Sequence, residues 1–189
     1  MGRSKRLPKV LTPQERKDLI SQPNTRYTSG LRNKAILRVM LEAGLRSGEL
    51  VALKPGHLDM LTCRLNVREG KGAKDRTLWI SDSLRDLIGQ WLERRPQSEW
   101  LFCTRDGDEI LTRYLRTMVK RYAVKAGVSE RERVTPHGLR HTFATDLLRE
   151  TKNIRLVQKA LGHSDVSTTM IYTHVFDEEL EAALRARKT

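Results

Sequence analysis

Two cysteines, Cys63 and Cys103, are all that the 189 residues contain. Their spacing fits no metal site, which leaves out a disulfide framework and a Cys-based zinc module; a reduced, intracellular chain is the simplest expectation. No apolar run approaches the length needed to span a bilayer. The basic start of the chain is followed by no apolar stretch, so no secretory signal is read there. Internal repeats and low-complexity segments are lacking as well. Acids are outnumbered, 23 against 36 Lys and Arg, and they are scattered. A two-metal nuclease needs grouped carboxylates, so that class has little support. What remains is a soluble, cytoplasmic chain long enough to bury a core unaided.

What is present is positive charge. The formal net charge is +13 and the isoelectric point about 10.2. A domain this basic meets a polyanion or carries a generically basic surface. Nucleic acid is favoured over membrane, because the basic residues are spread through folded-looking segments and do not form one amphipathic helix.

Residues 1–10, with Arg3, Lys5, Arg6 and Lys9, read as a basic arm or linker. Thr12-Pro13-Gln14-Glu15 starts a short helix with a capping box, ending by Pro23. Residues 31–43 form an amphipathic helix with Ile36, Leu37, Met40 and Leu41 inward, stopped by Gly44. Ser47 is expected to cap a helix running through Leu53. Residues 64–68 and 76–80 alternate as a hairpin whose tip carries Lys71 and Lys74 among glycines. The run 100–103 is a candidate third strand. A helix over 84–94, capped by Asp82 or Ser83, precedes it. A long helix over 111–126 follows, with Leu111, Leu115, Met118, Tyr122 and Ala126 inward. Its Arg113, Arg116, Lys120 and Arg121 face outward, to read DNA or to keep the surface solvated. Pro136 opens a further helix, and Asn153 caps the next, with Leu156, Val157 and Leu161 inward. Short helical pieces at 168–172 and 177–187 end the chain.

Most of the chemistry-bearing residues lie between Thr135 and Tyr172. His137, Arg140, His163 and Tyr172 come at spacings that short helices can fold onto one point. Arg offers a planar fork for phosphate oxygens, His moves protons near neutrality, and Tyr is a latent nucleophile. Arg46, at the corner between two helices, suits an anion, or pairs structurally with Glu49. Lys71 can approach a backbone closely or be a solvated loop lysine. His137 and His141 have ligand spacing, but Gly138 stands where the zincin motif needs Glu. Phosphoryl chemistry here would rest on cations rather than on metal.

Ala-Gly-Leu-Arg-Ser-Gly-Glu-Leu at 43–50, Gly-Lys-Gly at 70–72, His-Gly-Leu-Arg-His at 137–141, Leu-Gly-His at 161–163 and Tyr172 together resemble the tyrosine recombinases, or phage integrase family. The likeness covers residues 11–175. It implies an α+β, mostly helical catalytic domain with a small three-stranded antiparallel sheet. Arg46 and Arg140 would clamp the scissile phosphate, and Tyr172 would form a 3′-phosphotyrosyl link. Lys71 would protonate the leaving 5′-oxygen, His137 would assist proton transfer, and His163 would hydrogen-bond the phosphate. Glu49 would be an orienting partner, and His141 would either support the catalytic groups from behind or be structural. The implied partners are double-stranded DNA and other protomers in a synaptic complex, with no cofactor or metal required. Members usually carry an N-terminal DNA-binding domain, where this chain has only its arm, so it reads as the catalytic domain of a longer protein. Residues 176–189 would form a tail whose Leu180, Ala183 and Leu184 dock on a neighbour. A catalytically silent DNA-binding module and a type IB topoisomerase are the alternatives; the wording of the motifs favours a recombinase.

Overall fold

The computed structural model describes residues 10–68, 75–128, 134–162 and Arg185. Lys71, Lys74, His163, Tyr172, the helical piece expected at 168–172, the arm apart from Val10 and the expected tail helix apart from Arg185 lie outside the described residues. Among those described there are seven α-helices and one antiparallel sheet of strand order β1-β2-β3. No helix among them is long and apolar enough to cross a membrane.

Helix α1 (Pro13–Ser21) begins with the expected capping box: Thr12 Oγ1 accepts from the Glu15 amide at 3.2 Å, and the Thr12 amide donates to Glu15 Oε2 at 3.0 Å. Helix α2 (Thr28–Ala43) is the central element, with Leu31, Ile36, Leu37 and Met40 buried. It begins earlier than the apolar periodicity indicates. Its first turn, Thr28-Ser29-Gly30, is polar and small because Gly30 presses against the Asn24 carbonyl, where a Cβ would sit 1.9 Å from the oxygen. At its other end Gly44 adopts φ +58°, the left-handed cap read from the sequence.

Helix α3 (Ser47–Val51) departs from expectation at both ends. Arg46, not Ser47, is the extended capping residue, and the helix stops at Val51. Glu49 bonds the Arg46 amide, which fixes the corner one residue earlier.

The sheet consists of β1 (Leu58–Asp59), β2 (Arg64–Val67) and β3 (Arg76–Trp79). The hairpin appears in the expected register, Leu65 opposite Leu78 and Val67 opposite Arg76. Its third strand is not 100–103 but β1, whose Leu58 pairs with Leu65. Leu101, Phe102 and Cys103 are wholly buried among helices, with Trp91 Nε1 donating to the Leu101 carbonyl at 2.7 Å. A continuous apolar run reads equally well as core loop or as strand, whereas a strand of two residues leaves no period to detect.

Helix α4 (Asp82–Arg94) is capped by Ser81, one residue before the expected position. Helix α5 (Thr112–Lys125) buries Leu115, Met118, Val119, Tyr122 and Ala123. Leu111, expected on that stripe, is exposed, because it is the extended capping residue and not part of the helix. A buried polar cluster joins α5 to α2. Arg32 donates to the Tyr114 hydroxyl and the Cys103 carbonyl, both at 2.6 Å, and Asn33 donates to the Tyr122 hydroxyl at 3.2 Å. This cluster sets the roll of α5, so that Arg113, Arg116, Lys120 and Arg121 point outward.

Helix α6 (Pro136–Thr151) packs across α2, and α7 (Ile154–Leu161) follows after Lys152 in the left-handed region. Asn153 caps α7, accepting from the Arg155 and Leu156 amides. Ala144, Leu148, Val157 and Leu161 form a satellite core between α6 and α7. Leu156, expected inward, is 43% exposed; Ala160 is buried instead, since a helix of eight residues buries only one narrow stripe.

Candidate active site

The α2–α3 corner supplies one half of the site. Because Gly44 turns the chain in the left-handed region, Arg46 follows with extended backbone and projects beside Glu49, three residues on. Arg46 Nη1 donates to Glu49 Oε1 at 2.9 Å, and the Arg46 amide donates to Oε2 at 2.6 Å. The structural pairing left open by the sequence is therefore present. The Arg46 side chain nevertheless keeps 43% of its surface exposed, against 7% for Glu49.

The first turn of α6 supplies the other half. Thr135 caps it and Pro136 occupies its first position, which places His137 and Arg140 one turn apart on the same side. His137 is exposed, whereas the Arg140 side chain is 6% exposed. Arg140 is held by backbone: Nη1 donates to the Gly44 carbonyl at 2.6 Å, and Nη2 to the Leu161 carbonyl at 2.7 Å. Its Nη1 lies 3.7 Å from Glu49 Oε2, an ion pair without a hydrogen bond. His141, one residue on, is buried.

Sequence reasoning brought Arg46, Arg140 and Glu49 together, and the structure does the same. It also brings in a residue read only as part of a strand. Arg76, at the start of β3, is 6% exposed and grips Glu49 with both terminal nitrogens, Nη1 to Oε1 at 3.0 Å and Nη2 to Oε2 at 2.8 Å. Its Nε donates to the Ala160 carbonyl at 2.8 Å. A signal was available: the alternation of 76–80 puts Arg76 on the inner face with Leu78 and Ile80, and a buried guanidinium needs a partner. The backbone acceptors at Gly44, Ala160 and Leu161 left no such signal.

Three guanidiniums thus surround one carboxylate. Burial pushes the Glu49 carboxyl up, but hydrogen bonds from Arg76 and the Arg46 amide, with the charges of Arg76 and Arg140, outweigh it and hold the group below the ordinary glutamate range. The cluster carries net positive charge on a water-facing rim formed by Arg46, which is suited to a phosphodiester. The expected DNA-reading residues Arg113, Arg116, Lys120 and Arg121 lie on the exposed face of α5, and Arg121 stacks over the Tyr122 ring at 5.0 Å.

Residues 9–179 match the family model described as the phage integrase family. The tyrosine recombinase XerA of Thermococcus kodakarensis is 45% identical over 187 residues, covering 96% of this chain and 64% of that protein. The tyrosine recombinase XerD of Ralstonia nicotianae is 38% identical over 183 residues, covering 93% of this chain and 58% of that protein. The chain therefore spans less than two thirds of the length of these relatives. Among solved structures, a XerA recombinase superposes with a TM-score of 0.82 at 35% identity, covering 97% of this chain and 66% of that one. The post-cleavage complex of the XerH site-specific recombinase with palindromic difH substrate also gives 0.82, at 30% identity, covering 97% and 55%.

Proposed function

This chain belongs to the phage integrase family, and from that premise we propose that it is the catalytic portion of a site-specific tyrosine recombinase that cuts and rejoins double-stranded DNA. The observation that carries the reading is the convergence of Arg46 and Arg140 on Glu49, from elements about ninety residues apart in the chain. That arrangement supplies fixed positive charge where a phosphodiester becomes more negative in the transition state.

In this reading the Tyr172 oxygen attacks phosphorus, the bond from phosphorus to the 5′-oxygen breaks, and a 3′-phosphotyrosyl link forms. Lys71 delivers the proton that the departing 5′-oxygen takes up. His137 assists proton transfer by taking up the proton that the Tyr172 hydroxyl gives up, His163 hydrogen-bonds a phosphate oxygen, and Arg46 with Arg140 neutralises the two non-bridging oxygens. A 5′-hydroxyl from another strand reverses the step, so the phosphodiester energy is conserved and no ATP or metal enters the balance. Arg113, Arg116, Lys120 and Arg121, with Lys74, contact the duplex backbone and grooves. Further protomers complete a synaptic complex, and the reaction belongs in the cytoplasm with the cell's DNA.

The test is covalent trapping. The protein is mixed with nicked or phosphorothiolate DNA in chelator, denatured, and resolved beside Tyr172→Phe. An adduct that disappears in the variant supports the reading. An adduct that survives Tyr172→Phe, or none with any substrate, counts against it.

A further inference from the structure

We propose that Arg76 is a positioning residue of the cleavage site: by occupying Glu49 it keeps that carboxylate from capturing Arg140, which then stays turned toward a bound phosphodiester. The inference rests on the recombinase reading above.

A carboxylate has about four lone-pair sites to offer. On Glu49 four short bonds fill them: the side chain and amide of Arg46 at 2.9 and 2.6 Å, and both terminal nitrogens of Arg76 at 3.0 and 2.8 Å. Arg140, at 3.7 Å, is near enough to feel the charge and too far to be hydrogen-bonded. Removing Arg76 would vacate two sites on a buried anion whose nearest buried cation, among the described residues, is then Arg140. A shift of about 1 Å would convert the ion pair into a charge-assisted hydrogen bond and take the guanidinium from its working position.

Arg76 is fitted to this task by three donors in one plane. Two meet the carboxylate, and Nε meets the Ala160 carbonyl at 2.8 Å. The neighbouring carbonyl, Leu161, is held by Arg140 at 2.7 Å. These are last-turn acceptors of α7 that have no partner within the helix. The two arginines thus pin the end of α7 together, just before Gly162 and the expected phosphate-binding His163. A lysine keeps the charge but cannot reproduce the planar two-nitrogen grip on the carboxylate.

The test uses single-turnover cleavage of phosphorothiolate DNA at saturating DNA, with binding measured separately. Arg76→Met is expected to lower the rate about a hundredfold, as a displaced catalytic group does, with DNA affinity unchanged. Arg76→Lys falls between, and serves alone if the methionine variant does not fold. Adding Glu49→Gln to Arg76→Met is expected to restore much of the rate, because a neutral amide does not draw Arg140; loss of packing alone would not be rescued by a second lesion. A wild-type rate in Arg76→Met, or a double variant slower than the single, overturns the proposal. If the parent chain forms no Tyr172-dependent adduct, the recombinase reading fails separately. A crystal structure of the Arg76 variant then decides: Arg140 to Glu49 at about 2.8 Å sustains the proposal, and an unchanged separation overturns it.

Discussion

Arg46 and Arg140 flank the same carboxylate, yet the two sides of the site are built differently. Arg46 stands on a helix corner, exposed, and pairs with a residue three positions away. Arg140 is buried beneath α2 and α7 and tied to carbonyls 96 and 21 residues away in sequence. The first is local and adjustable; the second is part of the fold. Two groups expected to do the same work on a phosphate therefore carry unequal structural duties, and substitution separates those duties.

The largest effect is expected on the buried side. Arg140→Ala takes one donor from each of two carbonyls and removes one cation from a buried cluster, so unfolding stability falls by about 3 kcal/mol. Adduct formation falls by about a thousandfold. Chemical denaturation beside the trapping assay measures both. Arg46→Ala has a similar chemical penalty, about a hundredfold or more, but its exposed pair with Glu49 contributes less than about 1 kcal/mol to stability. Equal losses of stability in the two variants would erase the contrast.

Gly44→Ala probes the seam between the sides without substituting either arginine. Gly44 has φ +58°, and a Cβ there would lie 2.2 Å from the Phe143 ring on α6. The strain and overpacking are expected to cost about 2 kcal/mol. Because the Gly44 carbonyl holds Arg140, cleavage drops more than DNA binding, which single-turnover kinetics with a binding titration would reveal.

The smallest effect concerns the carboxylate shared by both sides. Glu49 in the folded protein loses its proton more readily than a glutamate of ordinary value 4.5. Its stabilising contribution is thus complete above that value and is lost as pH falls through the lower, folded one. Denaturation midpoints measured from about pH 6 down to about pH 3 should fall more steeply for the parent than for Glu49→Gln. Parallel slopes would mean that another carboxylate governs the acid limb.

Much of this was legible in the chain. The capping box of α1, the Gly44 stop, the hairpin register and the Asn153 cap all depend on neighbours within a few residues, so local chemistry dictates them. The Arg46–Glu49 pair belongs to the same class. The third strand was misassigned because β1 has only two residues, and 100–103 is apolar for the sake of the helices around it. Leu111 and Leu156 depart from the expected stripe because periodicity does not tell where a helix ends or how wide its contact is.

The sequence by itself determined the class of the protein. Its charge, the order and spacing of its motifs, and the side chains that chemistry on a phosphodiester requires are all one-dimensional facts. Only the tertiary structure decided which guanidinium is buried and which exposed, that Arg76 joins them on Glu49, and that the ends of α2 and α7 present their carbonyls to Arg140 and Arg76. The physical reason is that backbone acceptors have no sequence signature. Their partners are chosen by how helices distant in the chain pack against one another, and that choice is made by the core as a whole.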